Sequence, residues 1–255
     1  MVKLMSKIIG LIPVRLKSKR LKNKALLQLK KIPLVMHVYF RAKLSKKLND
    51  VIICCDDKKI LDVVKKFGGK AILTSKKHKN GTERIAEVYN THKQKYKLIV
   101  DIQGDEPFVD PKQIDKVVQY HLKNFDADIV VPSLKIKNTF NQNIVKVIKT
   151  QNDNVLYFSR ESAPYGFYKK NLFLYKHLSI VSFKPHALKT YIKSKPTLLE
   201  KIEGIELLRA LEIGLKIKSP LLNGDNFSVD VPRDYLRAKI KINQDKILKL
   251  YKNNC

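Results

Sequence analysis

The chain has 255 residues, 44% apolar and 29% charged, with a net charge of +29 and three cysteines. That is enough apolar material for a sizeable core and argues against a disordered chain. No apolar run approaches the roughly 20 residues that span a bilayer. The opening MVKLMSKIIGLIPVR leads into a polar loop without a small-residue cleavage site, so a cytoplasmic protein is expected. The charge invites a nucleic-acid reading, yet the lysines are scattered over every segment, and no helix-turn-helix, RNP-type aromatic pattern or zinc spacing appears. Cys54 and Cys55 are adjacent and Cys255 is terminal, which leaves no disulfide framework and predicts free thiols.

Ile8 to Ile12 has strand composition, and Pro13 is expected to end the strand. The loop that follows carries Arg15, Lys17, Lys19, Arg20, Lys22 and Lys24. Such a loop at the carboxyl end of a first strand in an α/β sheet suits a polyanion, and a nucleoside triphosphate is the expected one. Only 8 of the 52 cationic residues are Arg. Five of them, Arg15, Arg20, Arg84, Arg160 and Arg209, fall in the segments singled out here. Arg binds phosphate and carboxylate bidentately where Lys cannot, so these positions are expected to mark sites.

Pro33 to Ser45 has helical spacing, with His37 an ordinary helix residue; Val51 to Cys55 reads as a strand and Lys58 to Phe67 as a helix. Gly68-Gly69 ends that helix, and Ala71 to Thr74 is a third strand. The alternation predicts parallel strands with right-handed crossovers. Neither a Gly-x-Gly-x-x-Gly turn nor a P-loop is present, so phosphate must be met by side chains and metal. His78 to Glu87 reads as a helix start with Thr82 as cap, whose free N–H groups suit an anion or a base edge. Lys97 to Ile102 is a strand running into Gln103-Gly104-Asp105-Glu106-Pro107, and an acidic pair after a buried strand suits a divalent cation.

Pro111 to Asn124 reads as a helix and Asp128 to Pro132 as a strand. From Leu134 the pattern changes to short strands and an aromatic run through Tyr165, Phe167, Tyr168, Phe173 and Tyr175. Those rings are expected in a core or an interface rather than in a base-stacking surface. Ala187 to Ser194 and Leu199 to Arg209 each read as one helix, and Lys216 to Leu222 as a late strand. Asp230 precedes a helix opened by Pro232, Asp234 compensates its dipole, and the helix is expected to run to about Lys252.

Ile12 to Leu26 (I-P-x-R-x-x-S-x-R-L-x-x-K-x-L) resembles the signature loop of the sugar nucleotidyltransferases, most closely the cytidylyltransferases that activate 3-deoxy-manno-octulosonate (KDO). The H-x-x-G-T-E-R segment at His78 to Arg84, the Q-G-D-E-P string, the Y-F-S-R segment ending at Arg160 and the V-D-x-P-x-D segment at Val229 to Asp234 resemble the same family, in the same order. Two loop positions depart from it: Lys22-Asn23 stands for Pro-Gly, and Ala25 for Pro. Asn tolerates the left-handed backbone that Gly would adopt, so the turn is expected to survive.

The resemblance implies an α/β fold: a mostly parallel sheet flanked by helices, Rossmann-like, forming a single nucleotidyltransferase domain over 1–255. An α+β subdomain inserted at about 134–195 would serve the sugar site and a homodimer interface. It implies transfer of CMP from CTP to the anomeric hydroxyl of an acidic 3-deoxy-2-keto sugar, with release of pyrophosphate, for lipopolysaccharide or other surface-glycan synthesis. Arg15, Lys24 and Asp105 are the implied catalytic residues. Arg15, Ser18, Arg20, Lys24, His78, Gly81, Thr82 and Arg84 would bind the nucleotide, and Gln103, His177 and Glu206 the sugar. Asp105 and Asp230 would hold Mg²⁺. No specific nucleic acid or membrane partner is expected. His177, Glu200, Glu206 and Arg209 keep the family pattern, but Ser179, Val181 and Thr197-Leu198-Leu199 depart from it. This leaves 8-amino-KDO or a nonulosonate as alternative acceptors, and a basic nucleic-acid-binding protein as the alternative class.

Overall fold

The computed structural model describes residues 7–18, 20–92, 96–137, 140–168 and 173–252; Lys19 and Cys255 lie outside them. The chain divides into two compact units, Met1–Asp115 with Asn226–Cys255, and Lys116–Asp225.

The first unit opens with β1 (Ile8–Val14), buried along its whole length. A small hairpin of β2 (Gln28–Leu29) and β3 (Ile32–Pro33) leads to α1 (Leu34–Lys43). Next come β4 (Asp50–Cys55), α2 (Lys58–Lys66), β5 (Ala71–Leu73), α3 (Gly81–Thr91) and β6 (Leu98–Ile102). Within this unit the strands lie in the order β6-β1-β4-β5, all parallel, with Gly10 opposite Val51 on one side and Val100 on the other. Strands covered by helices on both faces need apolar side chains, which is how β1, β4 and β6 are composed apart from Asp50 at the start of β4 and Asp101 within β6. The chain moves outward from β1 to β4 and β5, then returns to β1's other side with β6. Ligands of open α/β sheets bind at the carboxyl ends of the strands flanking such a reversal. Those ends carry the basic loop and the Gln103 loop.

β1 continues through Pro13 to Val14, contrary to the expected stop. Pairing with β6 ends at Leu11 whereas pairing with β4 runs to Val14. Pro13 therefore sits where β1 is paired on one side only, and its missing N–H costs the ladder little.

The chain passes into the second unit within α4 (Pro111–Lys123). There follow β7 (Ile129–Val130), β8 (Ser133–Lys137), β9 (Lys146–Lys149), β10 (Val155–Ser159), β11 (Phe173–His177) and β12 (Ile180–Phe183). After them come α5 (Pro185–Lys193), α6 (Leu198–Glu203), α7 (Glu206–Glu212), β13 (Ile217–Lys218) and β14 (Leu221–Leu222). A largely antiparallel sheet has the order β10-β9-β11-β8-β14, and β7 lies between β12 and β13. The expected helix from Leu199 to Arg209 is two helices, because Gly204 adopts φ 63° and ends α6. The expected late strand is likewise two short ones, β13 pairing with β7 and β14 with β8.

The chain returns to the first unit with α8 (Pro232–Lys241), where Pro232 supplies the first helical residue. α8 ends well before Lys252; single 3₁₀ turns at Ile242–Gln244 and Ile247–Leu250 follow. Asp245, between the two turns, takes the buried Arg41 guanidinium as partner.

Candidate active site

The basic loop leaves β1 with its first turn fixed, since the Leu16 N–H donates to Asp56 Oδ1 at 2.8 Å. It ends in a single 3₁₀ turn, Lys24–Leu26, preceded by Asn23 at φ 53°, ψ 34°. Asn23 thus supplies the left-handed residue that the sequence required at that point. The turn sends Lys24 inward, and its Nζ lies 2.7 Å from Asp105 Oδ2 and 3.0 Å from Asp230 Oδ1. Arg20 donates to the same Asp230 oxygen at 3.0 Å while remaining half-exposed.

The two acidic segments are tied by their backbones, the Val229 N–H donating to the Asp105 carbonyl at 2.9 Å. Ser228 Oγ donates to Asp230 Oδ2 at 2.9 Å. The N–H groups of Asp230 and Val231 donate to Asp234 Oδ2 at 3.0 and 3.1 Å, so Asp234 fixes the backbone that carries the Asp230 carboxylate. Burial works to lower the Lys24 pKa and to raise that of Asp230. The ion pairs outweigh it, holding Lys24 above its usual value and Asp230 below its own.

Gly104 makes the approach of this loop to β1 possible. A Cβ there would lie 2.2 Å from Val14 Cγ1 and 3.0 Å from the Pro13 carbonyl oxygen. Gly81, the first residue of α3, meets the same strand end, its would-be Cβ 3.2 Å from Pro13 Cγ and 3.5 Å from Gln103 Nε2. The expected cap is corrected here. Asn80, not Thr82, caps α3, accepting from the Glu83 N–H at 2.8 Å, because the helix begins two residues earlier and Thr82 is buried inside its first turn. Glu83 in turn accepts from the Lys79 N–H at 2.9 Å. His78 bonds Glu87 through Nε2, and Glu87 also accepts from the Ser75 N–H at 3.0 Å.

The arginines divide. Arg15 is exposed and makes no side-chain bond among the described residues, and Arg20 borders the carboxylates. Arg84 is buried, its Nη1 donating to Thr74 Oγ1 at 2.5 Å and the Ser75 carbonyl at 3.2 Å. Arg160 donates to the carbonyls of Gln142, Glu203 and Gly204, and Arg209 forms two bonds to Glu200 at 2.5 and 2.6 Å. These three are struts inside the fold. Geometry did select Arg there, but the geometry of carbonyls and carboxylates of the chain itself.

Arg15, Ser18, Arg20, Lys24, His78, Gly81, Thr82, Arg84, Gln103, Asp105 and Asp230 all belong to the first unit, whereas His177 and Glu206 belong to the second. In the basic loop Lys17 is exposed and Ser18 is half-buried. His177 is partly exposed yet densely surrounded, which lowers its ring's pKa to about 4, and it meets Phe158 edge-on. Residues that the sequence did not single out are Asp56, Asp101, whose Oδ2 accepts from Gln103 Nε2 at 2.9 Å, and Ser228. The serine was legible as Ser-x-Asp before a helix, but nothing in the string marked the other two.

Among the described residues no group of three or more His, Cys, Asp or Glu side chains is placed to hold a metal. Two carboxylates that share one cation fit Mg²⁺, which is bound through one or two carboxylates and completes its shell with water and phosphate oxygens. The site therefore has hard oxygens for a divalent ion, facing a cationic loop at a strand-end crevice, as a nucleotide-transfer site requires.

The Cytidylyltransferase family model matches residues 9–217, and the chain belongs to that family. The 3-deoxy-manno-octulosonate cytidylyltransferase of Thermodesulfovibrio yellowstonii is 41% identical over 244 residues, covering 89% of this chain and 94% of its own. The 8-amino-3,8-dideoxy-manno-octulosonate cytidylyltransferase of Shewanella pealeana is 35% identical over 240 residues, covering 92% and 98%. A solved CMP:2-keto-3-deoxy-manno-octonic acid synthetase complexed with CTP superposes with a TM-score of 0.88 at 28% identity, over 94% of this chain and 99% of that one. The nucleotidyltransferase fold inferred from the motifs is thereby shown.

Proposed function

We propose that this protein transfers CMP from CTP to KDO, in the cytoplasm, for lipopolysaccharide synthesis. The observation that carries this reading is the single Lys24 ammonium held between Asp105 and Asp230, three groups from three separate motifs brought to one point. The similarity to KDO-activating relatives over most of the chain supports the acceptor.

In the reaction the sugar's anomeric oxygen forms a bond to the α-phosphorus, the bond to pyrophosphate breaks and the hydroxyl proton is lost. Arg15 and Arg20 meet the triphosphate from the exposed loop, and Lys24 turns from the carboxylates toward phosphate oxygens. The first residue of α3 walls the crevice, and the Asn80 cap holds it there. Asp105 and Asp230 hold Mg²⁺, which offsets charge on the reacting phosphate when bound. Gln103 meets the sugar from the same strand end.

The second unit also exposes Phe140, Tyr165, Phe167 and Tyr168, each at least 75% accessible. So many exposed rings mark an interaction surface, and a homodimer is the reading we adopt. Light scattering of wild type and of a Phe167→Ser/Tyr168→Ser variant tests it; a monomeric wild type overturns it. The activity is tested by pyrophosphate release with each nucleoside triphosphate against KDO and its 8-amino analogue. Release only with CTP and KDO is expected, and preference for the amino sugar would reassign the acceptor.

A further inference from the structure

We infer that Asp101 is a positioning residue that fixes which end of the Gln103 side-chain amide faces the sugar. The inference rests on the reading of Gln103 as a sugar ligand and adds to it the residue through which that ligand is set. Asp101 lies on β6 opposite Leu11 and is 2% exposed. Burying a carboxylate in a strand between apolar neighbours is costly unless the charge is used. Its Oδ2 accepts from Gln103 Nε2 at 2.9 Å.

An ionised carboxylate only accepts, so it pairs with the NH₂ end of an amide and never with the carbonyl end. Gly81 closes the same end from the other side, since its would-be Cβ lies 3.5 Å from Nε2. Among the described residues nothing donates to Gln103 Oε1. The amide is thereby held with its donor end turned to the protein's own carboxylate and its acceptor end left for a ligand. A sugar acid has hydroxyl donors for such an acceptor, and its carboxylate, an acceptor itself, gains nothing there. Gln103 thus reads hydroxyls, and Asp101 sets that polarity.

The test is a double-mutant cycle on the KM for KDO and for CTP, with thermal melts of each variant. Asp101→Val removes the acceptor, and we expect a rise of about tenfold in KM for KDO, the scale of one lost ligand hydrogen bond, with KM for CTP within about twofold. Asp101→Asn still offers a carbonyl to Nε2 and keeps KM for KDO within about threefold of wild type. In a Gln103→Ala background Asp101→Val adds nothing further, because coupled residues are non-additive. If Gln103→Ala leaves KM for KDO unchanged, the sugar-ligand reading fails. If it raises KM but the Asp101→Val effect is absent, or persists undiminished in its background, the positioning role fails alone.

A second pair covers the case in which Asp101→Val does not fold. Gln103→Glu sets two carboxylates against each other and loses KDO binding. Adding Asp101→Asn, whose NH₂ can donate to the introduced carboxylate, restores part of it. No restoration overturns the proposal.

Discussion

Lys24 carries one positive charge into a space walled by two carboxylates, and each of the three depends on the others. Removing the ammonium leaves Asp105 and Asp230 facing each other with their compensation gone, apart from Arg20 at Asp230. Uncompensated, partly buried like charges destabilise the native state. Lys24→Met is therefore expected to lower Tm, and millimolar Mg²⁺ without nucleotide should raise the Tm of this variant more than that of wild type, because the ion then has no ammonium to displace. Equal Mg²⁺ shifts in the two proteins would count against the carboxylates as the metal site. Asp105→Asn keeps the shape of the side chain and halves the charge of the pair, so the fold should persist while kcat falls about 10²-fold or more. Near-normal turnover by the folded variant would remove Asp105 from the mechanism. Lys24→Ala should also cost far more activity than Lys17→Ala, since Lys17 is exposed and meets neither carboxylate.

The basic loop reaches its geometry through one backbone conformation. Asn23 at φ 53° turns the chain so that Lys24 points inward. A residue with Cβ and no local side-chain bonding pays roughly 1–2 kcal/mol in that region, and Asn pays less. Asn23→Ala should destabilise the protein by about 1 kcal/mol and raise KM for CTP, while Asn23→Gly should be neutral or stabilising. Denaturant melts with CTP titrations check both; an inert Asn23→Ala would show that the turn is held by its flanks alone. This turn was legible in the sequence because departure from Pro-Gly to Lys-Asn preserved the one property the backbone needs.

The parallel β-α-β order was legible for a similar reason, as strands buried on both faces and helices with one apolar face leave different periods. The elements that were misread lost their local signal to tertiary context. Pro13 looked like a stop because the one-sided pairing of β1 beyond Leu11 is invisible locally. Gly204 within Leu199 to Arg209 was outweighed by the apolar spacing around it. The internal arginines Arg84, Arg160 and Arg209 could not be told apart from ligand-binding ones in the sequence, because a strut and a phosphate clamp require the same fork. Asp101 left no mark, since a lone acid in an apolar run has no pattern.

Charge and burial over the whole molecule separate what folding uses from what ligands use. His37 and His121 are buried, and burial is the main cause that lowers each ring to a pKa of about 4. Each ring is bonded at both nitrogens, His37 between Tyr251 and the Leu29 carbonyl, His121 between Ser182 and the Ala127 carbonyl, and burial outweighs the carbonyl bonds that favour the charged form. Above pH 6.5 neither the folded nor the unfolded state protonates them, and stability is whole. Between about 6.5 and 4 the unfolded chain binds protons that the folded one refuses, so stability falls by up to about 3 kcal/mol per ring. Tm should drop steadily from pH 7 to 4.5, and His37→Gln should flatten the drop; a flat wild-type profile would contradict the buried, neutral rings. Asp230, held low, adds its own loss only below its usual carboxylate range.

The net charge of +29 acts on a different partner scale. Its lysines are scattered over every segment of the sequence, so RNA or DNA should bind through counterion release alone, without sequence preference, and should weaken by about 10³-fold or more between 50 and 200 mM salt if six or more phosphates are met. On the proposed reading CTP with Mg²⁺ engages the loop, the paired carboxylates and the α3 N-terminus, and so should raise Tm at physiological salt by mass action on the native state. GTP and ATP should raise it less, because a purine exceeds a pyrimidine pocket and presents different edges. Tight, sequence-selective RNA binding at 150 mM salt, with no Tm shift from CTP and Mg²⁺, would make the cationic surface the functional one and leave Lys24, Asp105 and Asp230 as a structural cluster.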